Sequence, residues 1–161
     1  MQPILLATDG SPSAANAAAR AIDLAQALGA PLLIASIWEL ESAPMGYGLG
    51  MAPGIPDLDV GREMAETVVH EAADLAREAG IEAETVVRRG VATQGICELA
   101  EEWNVRLVVV GSHGWGPIRR MVFGSVSTGV LHHSRRPVLV VPAAHATEHA
   151  DDGAMRTEVE V

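Results

Sequence analysis

The chain has 161 residues, and hydrophobic residues make up 48% of it, which suits one globular domain with or without a tail. Its single cysteine, Cys97, excludes a disulfide framework. The net charge of −10 argues against nucleic acid as a partner, because phosphate neutralisation dominates that kind of binding.

Apolar runs and helical repeats alternate along the first half of the chain. Residues 3–9 predict a buried strand, and Ser11 follows as the N-cap of a helix that Gly29 ends. Residues 31–38 predict a second strand. Residues 39–60 carry several Pro and Gly and show no period, so we expect a long mobile loop there.

The second half continues the alternation. A helix closed by Gly80 is predicted by an apolar stripe at helical spacing; its members are Met64, Val68, Ala72, Leu75 and Ala79. A strand over 81–88, a turn at Gly90 and a third helix follow. The β-branched run 107–110 predicts a strand buried on both faces. Residues 125–133 predict a fourth helix, and 137–141 the last strand.

Strands that alternate with helices predict a three-layer, Rossmann-like α/β fold. We expect five parallel strands in the order 3-2-1-4-5, with helices on both faces of the sheet. In this order the switch point lies between strands 1 and 4, and ligands bind outside the carboxyl ends of such strands. The two ends are Thr8-Asp9-Gly10 and the segment from Gly111 onward. These two segments therefore form the predicted site.

The distribution of charge favours an anionic ligand at the same place. No Asp or Glu occurs from Trp103 to Thr147, and that window contains five arginines. All eleven basic residues of the chain are arginines, so chemistry that needs a lysine is excluded. An acid-free, glycine-rich window in an acidic protein indicates a local anion site.

The residues at this site suit phosphate. Gly111 and Gly114 let the loop after the strand fold back, and Gly124 lets the backbone of the next helix approach closely. The helix start offers unpaired amides, and Ser125 and Ser127 add hydroxyl donors. The alternative is a plain strand-to-helix turn with capping serines.

The spacing of these residues also resembles a known pattern. Gly111-x-x-Gly114, nine residues and then Gly124-Ser125 are similar to the ATP-binding signature of the universal stress protein family. Ile4–Ser11, Leu107–His113 and the last strand resemble that family's strands and turns, and so does Gly90. The resemblance covers residues 1–142, and Arg106 departs from it because the family often has an acid there.

The resemblance implies an adenine nucleotide alpha hydrolase-like fold that binds ATP, or ADP or AMP, with Mg²⁺. It places Asp9 near the ribose or adenine and Ile37 along the base. It puts Gly111, Gly114, Gly124, Ser125 and Val126 around the phosphates, the last through its amide. With Thr8 at the strand end and Ser127 in the helix, these residues are the predicted nucleotide site. The family also implies a homodimer that pairs through Val138–Val141.

Several candidates keep a second interpretation. Asp9 is either a ligand to nucleotide or Mg²⁺ or a turn residue that caps the first helix. Arg119 and Arg120 either contact phosphates or lie in a solvated loop, and His113 either points into the site or lies at the surface. Cys97 is expected to be a buried, inert thiol. His132-His133 is not a metal pair, because adjacent helical residues diverge.

Three functions remain open. The first is a cytoplasmic ATP-binding stress-response switch, with an unknown signalling partner and no membrane or signal segment. The second is a slow ATPase or an enzyme that phosphorylates itself at Ser125, Ser127 or Thr128, although no catalytic residue can be assigned. The third is a dimerisation module without nucleotide. The domain is expected over 1–142, and the acidic tail 143–161 is expected to be disordered.

Overall fold

A parallel sheet organises the chain in the computed structural model, which describes residues 1–39, 58–112 and 123–143. Within these ranges the strands are β1 (Ile4–Ala7), β2 (Leu32–Trp38), β3 (Ala83–Arg89), β4 (Leu107–Gly111) and β5 (Val138–Val141). The helices are α1 (Pro12–Leu28), α2 (Leu58–Glu78), α3 (Ala92–Glu102) and α4 (Ser125–His133).

The sheet confirms the predicted fold class. Its order is β3-β2-β1-β4-β5, and every neighbouring pair of strands is parallel. One apolar cluster joins the sheet to α1 and α2, and a second joins it to α3 and α4, so the helices cover both faces. Strands buried on both faces read as continuous apolar runs, as β1 and β4 do.

The core is made of small and medium aliphatic side chains. Alanines of α1 and α2 face the sheet on one side, and Ile96, Leu99 and Val130 face it on the other. An alanine face lets a helix lie close to the strands beneath it. The sheet supplies the bulk of the volume through residues such as Leu6, Ile34 and Val109, all fully buried.

Local signals at the ends of α1 agree with the prediction. The Ser11 side chain accepts a hydrogen bond from the Ala14 amide at 3.3 Å, as an N-cap does. At the other end Gly29 adopts the left-handed conformation, with φ 58°, and its N–H reaches the carbonyls of Ala25 and Gln26. The cap and the stop are therefore where the sequence indicates.

The prediction for α2 is wrong in two respects. The helix begins at Leu58, so residues 58–60 belong to it and not to the expected loop, while the rest of that loop falls among residues that are not described. The expected stripe is only partly right, because Ala72 is buried and Ala79 packs against the core, whereas Met64 is 64% exposed and Leu75 is 54% exposed. The buried residues of this helix are Ala65, Val69, Ala72, Ala73 and Ala76, of which Ala72 alone belongs to the expected stripe.

The expected disordered tail lies almost wholly beyond the described residues, which end at 143. None of the described helices is long and apolar enough to cross a membrane.

Candidate functional site

A cleft of about 370 Å³ opens at the carboxyl ends of β1, β2 and β4, where the strand order reverses. Eight of the nine predicted nucleotide-site residues line it: Thr8, Asp9, Ile37, Gly111, Gly124, Ser125, Val126 and Ser127. The ninth, Gly114, lies outside the described residues, as do His113, Arg119 and Arg120. The fold therefore gathers residues that are up to 119 positions apart in the printed sequence.

The end of β1 forms a tight turn on one side of the cleft. Thr8 is buried and its amide continues the sheet by donating to the Ala35 carbonyl at 2.9 Å. Asp9 is exposed, and its Oδ1 accepts from the Ser11 amide at 3.0 Å. Gly10 takes a φ of 73°, which the turn requires. Asp9 thus supports the turn, while the cap of α1 comes from Ser11 and not from Asp9.

Gly111 serves the packing of the cleft wall in a way that its sequence context does not indicate. A β-carbon on Gly111 would lie 2.5 Å from Ser13 Oγ and 2.9 Å from the Ala14 nitrogen. The end of β4 therefore lies directly against the first turn of α1. The expected reason for this glycine was a loop that folds back, whereas the described contact is a close approach between strand and helix.

The N-terminus of α4 is the part of the cleft best suited to an anion. Its N-cap is Gly124, which brings no side chain to the first turn. The amides of Ser125, Val126 and Ser127 have no acceptor within the helix, because first-turn amides lack one by geometry. They carry the positive end of the helix dipole, and both Ser125 and Val126 are exposed. This end of the helix can therefore accept a phosphate or another anion.

The Ser127 hydroxyl has a structural role in this arrangement. It is buried and donates to the carbonyls of Ser112 and Gly124, both at 3.0 Å. The Gly124 amide donates to the same Ser112 carbonyl at 2.7 Å. The hydroxyl proton is therefore used in hydrogen bonds to the backbone. Ser127 can donate to a ligand in the cleft through its amide, and not through its hydroxyl as the sequence predicts.

The side of the cleft formed by β2 and α3 is apolar. Ala35, Ile37, Ala92 and Ile96 line it and offer no polar side-chain atom. Ile37 Cδ1 would lie 3.0 Å from a β-carbon on Gly95, so α3 is in close contact with the end of β2. This wall suits a flat, uncharged group.

Sequence reasoning missed part of the lining. The residues that it missed border the cleft and are Ala35, Ala92, Ile96 and Ser112. Their residue types do not indicate a site, because small apolar side chains and backbone carbonyls occur in every part of a fold. The one available signal is position, since Ala35 precedes Ile37 by two residues and Ser112 follows Gly111.

Cys97 of α3 does not line the cleft. Cys97 is half-buried, not fully buried; burial raises the pKa of its thiol, and the charges of Glu101 and Glu98 raise it further. A raised pKa keeps the thiol protonated and less nucleophilic. The described part of the chain contains no group of three or more His, Cys, Asp or Glu side chains that could hold a metal ion.

A parallel sheet with an anion-accepting helix end and an apolar wall at its switch point defines a Rossmann-like α/β protein with a ligand cleft. The family model described as the universal stress protein family matches residues 1–142. The chain belongs to that family, which confirms the resemblance seen in the sequence.

Relatives and solved structures support the same assignment. Universal stress protein YxiE of Bacillus subtilis is 32% identical over 144 residues, which cover 86% of this chain and 97% of that protein. Universal stress protein Sll1654 of Synechocystis is 34% identical over 144 residues, which cover 86% of this chain and 84% of that protein. A solved universal stress protein in complex with cAMP is 28% identical, with a TM-score of 0.64 and coverage of 89% and 98%.

Proposed function

We propose that this protein binds an adenine nucleotide, ATP above all, in the cleft at the switch point. One observation carries the proposal: the open, glycine-capped N-terminus of α4 and the apolar wall around Ile37 lie in the same cleft. A nucleotide has a polyanionic end and a flat, weakly polar end, and the cleft has a matching pair of surfaces. A cleft of about 370 Å³ is also within the range of small-ligand sites.

The pose follows from these surfaces. The phosphates lie at the first-turn amides of α4, where unpaired N–H groups and the helix dipole favour negative charge. The base lies against Ile37, and Asp9 at the turn after β1 is placed to contact the ribose or adenine. The similar solved protein in complex with cAMP supports an adenine nucleotide as the ligand class.

Mg²⁺ fits the site only together with the nucleotide. Asp9 supplies one carboxylate at the cleft, and the described residues give no cluster that could hold a metal alone. Mg²⁺ is commonly bound by one or two carboxylates plus substrate phosphates, which is the arrangement available here. In that case Asp9 would hold the ion beside the phosphates in place of contacting the ribose or adenine.

The first experiment identifies the ligand directly. Nucleotide released by denaturing the purified protein is identified by mass spectrometry, and ATP with Mg²⁺ is titrated by calorimetry. We expect ATP, ADP or AMP in the released fraction, or binding in the micromolar range. No nucleotide and no heat at millimolar ATP would overturn the proposal. Turnover well above uncatalysed hydrolysis, lost in Asp9→Ala, would favour the enzymatic alternative instead.

A charge variant tests where the phosphates bind. Ser125→Asp places a carboxylate at the first position of α4, where it stabilises the helix end by up to about 1 kcal/mol but repels phosphate. We expect ATP binding to weaken at least about tenfold while the thermal midpoint is kept. Leu75→Glu adds the same charge on the exposed face of α2 and serves as the control. Equal ATP affinity in both variants would rule out phosphate at α4.

We further propose that nucleotide binding acts as a switch in a homodimer that pairs through β5. The support is physical: β5 is an edge strand, short and apolar, and Val138, Leu139 and Val140 are half-buried.

Residues 1–142 are proposed as the nucleotide-binding domain and 143–161 as a separate tail. The cytoplasm is the proposed compartment, which cell fractionation tests.

A further inference from the structure

Three of the helices that begin at the cleft edge of the sheet, α1, α3 and α4, have different N-terminal caps. At α1 the cap is the Ser11 hydroxyl. At α4 the cap is Gly124, without a side chain. At α3 the N-cap residue Val91 makes no side-chain hydrogen bond, and the Glu39 carboxylate accepts instead from the Ala92 amide at 3.1 Å. A carboxylate from elsewhere in the chain therefore covers the positive end of α3.

Backbone contacts hold Glu39 at this place. It is the residue directly after β2, and the Trp38 carbonyl accepts from the Gly90 amide at 3.0 Å, which fixes the strand end against the β3–α3 turn. Ala92, the residue whose amide Glu39 engages, lines the cleft together with Ile37. The carboxylate is thus anchored at the border of the apolar end of the cleft.

Of the two arginines that end β3, Arg88 is paired with Glu102 of α3, and Arg89 contacts the opposite face of the sheet. Ile37 packs with the α3 and α4 side, whereas Trp38 contacts Gly61 of α2, because side chains alternate along a strand. Arg89 lies over the Trp38 ring, with its Cζ 5.9 Å from the ring centroid. Arg89 is therefore held by Trp38 on the α2 side, while Glu39 engages α3.

We infer that Glu39 is a specificity-determining residue, which makes the Ile37 end of the cleft reject ligands that carry negative charge there. The inference rests on the proposed function and extends it from ligand class to charge selection within that class. The starts of α3 and α4 both border the cleft and neither N-cap residue supplies a side-chain hydrogen bond, so an anion could bind at either of them. Glu39 occupies one amide of α3 and offsets its dipole, so that a single anionic end is accepted, at α4.

The test uses two ligands that differ only in charge at the base. N6-carbamoylmethyl-AMP is neutral at its substituent, and N6-carboxymethyl-AMP is nearly the same size and negatively charged. Dissociation constants are measured by calorimetry for the wild type, Glu39→Gln and the control Glu82→Gln, which removes the same charge before β3, at the amino end of the sheet. AMP itself is measured with each protein.

Wild type and Glu82→Gln are expected to bind the neutral ligand more tightly than the charged one by roughly fivefold or more, as for two charges a few ångströms apart in water. In Glu39→Gln this preference is expected to shrink toward equality, because the amide keeps an acceptor for Ala92 but loses the charge. An unchanged preference in Glu39→Gln would overturn the inference.

Other outcomes also decide the matter. If the wild type binds AMP but not the neutral derivative, the base end is closed by shape, and charge selection by Glu39 is wrong. If the wild type fails to bind AMP and ATP alike, the proposed function itself fails. Should Glu39→Gln unfold, Glu39→Ala and the wild type at raised ionic strength give the same comparison, since screening weakens a charge effect and leaves a shape effect unchanged.

Discussion

Single residues at the cleft set distances between whole elements, and Gly111 is the plainest case. It lies at the end of β4, where any side chain would meet the backbone of α1. The glycine pattern is visible in the sequence, but its reason is not, because the crowding partners Ser13 and Ala14 are about a hundred positions away. Local chemistry, such as the Ser11 cap or the Gly124-Ser125 helix start, could be predicted from the residues themselves.

Replacing Gly111 tests this packing. In Gly111→Ala the added carbon would lie 2.5 Å from Ser13 Oγ, so β4 or α1 must shift. We expect the free energy of unfolding to fall by about 1–3 kcal/mol, as for overpacking elsewhere. Urea unfolding measures it.

Gly29→Ala is the comparison for that variant. Nothing lies within 4 Å of a β-carbon there, and its φ is 58°, so the cost of about 1–2 kcal/mol is purely conformational. Ser13→Gly should relieve the strain of Gly111→Ala in part, because it removes the Ser13 hydroxyl, and it should leave Gly29→Ala unaffected. Wild-type stability of Gly111→Ala would contradict the close approach of β4 and α1.

At the scale of elements, α3 is ion-paired to both borders of the sheet. Glu102 contacts Arg88 of the edge strand β3, with N–O distances of 2.9 and 2.6 Å. Glu101 contacts Arg136, just before the other edge strand, at 3.1 and 3.3 Å. One helix thus connects the two ends of the strand order through charged side chains on its outer face.

The Arg88–Glu102 pair predicts a dependence on pH. The hydrogen bond from Arg88 lowers the pKa of Glu102 below its ordinary value of 4.5. A carboxyl with a lowered folded pKa stabilises the fold above its unfolded pKa, and this is lost as pH falls through the folded value. The stability difference between wild type and Glu102→Gln should therefore shrink as the pH falls below about 4.5.

Urea unfolding at a series of pH values measures that difference. Glu71→Gln, on the exposed face of α2, is the control for removal of a carboxylate outside the pair. The pair is exposed, so the effect is small and needs replicate titrations. A difference from Glu102→Gln that is constant across the acid range would contradict the assignment of the lowered pKa to Arg88.

The spacing of α3 and α4 depends on a second glycine. A β-carbon on Gly129 of α4 would lie 2.6 Å from Thr93 Oγ1 of α3. Alanine is favoured over glycine inside a helix by about 1 kcal/mol, so Gly129→Ala would stabilise an isolated α4. In the protein we expect destabilisation of about 1–3 kcal/mol, because the helices must separate.

A double-mutant cycle separates the two effects. In a Thr93→Ala background the closest contacts are removed, and Gly129→Ala should become neutral or slightly stabilising. Thermal and urea unfolding of the four proteins give the coupling energy. Additive effects of the two substitutions would contradict crowding against Thr93 as the cause of the cost.

The sequence predicts the elements better than the faces that they bury. In α2 the alanines that pack on the sheet and the larger Met64 and Leu75 both recur at helical spacing, so the period is clear but its phase is not. Side-chain size predicts the wrong buried face, because the larger apolar residues are exposed and the close approach of α2 to the sheet favours alanine. The start of α2 at Leu58 was missed for a related reason, since the Pro and Gly before it dominate the local pattern.

At the scale of the whole molecule, β5 is an edge strand, with β4 as its one partner among the described residues. The carbonyls of Pro137 and Val141 accept hydrogen bonds from β4 and its following residue. Along a parallel strand, the backbone N–H and C=O groups of successive residues point to opposite sides. Since Pro137 and Val141 bond toward β4, Val138 and Val140 turn their N–H and C=O groups outward. An edge of this kind can pair with a second copy of the chain.

Val138→Pro tests the proposed homodimer. Proline at the first residue of a strand removes an outward N–H and keeps the bonds to β4. We expect the wild type to sediment as a dimer and Val138→Pro to shift toward the monomer, with retained helix content by circular dichroism. A monomeric wild type, or a variant dimer of unchanged affinity, would contradict pairing through β5.

The aliphatic core determines which spectroscopic signals report on it. Neither apolar cluster contains an aromatic side chain, and the aromatic residues of the described ranges, Trp38, Trp103 and Phe123, lie at the ends of β2 and α3 and before α4. The near-ultraviolet dichroism and indole emission that these described residues contribute will therefore follow the ends of β2 and α3 and the start of α4. Loss of core packing will instead be visible in methyl resonances, where ring-current shifts are small and chemical-shift dispersion is correspondingly narrow.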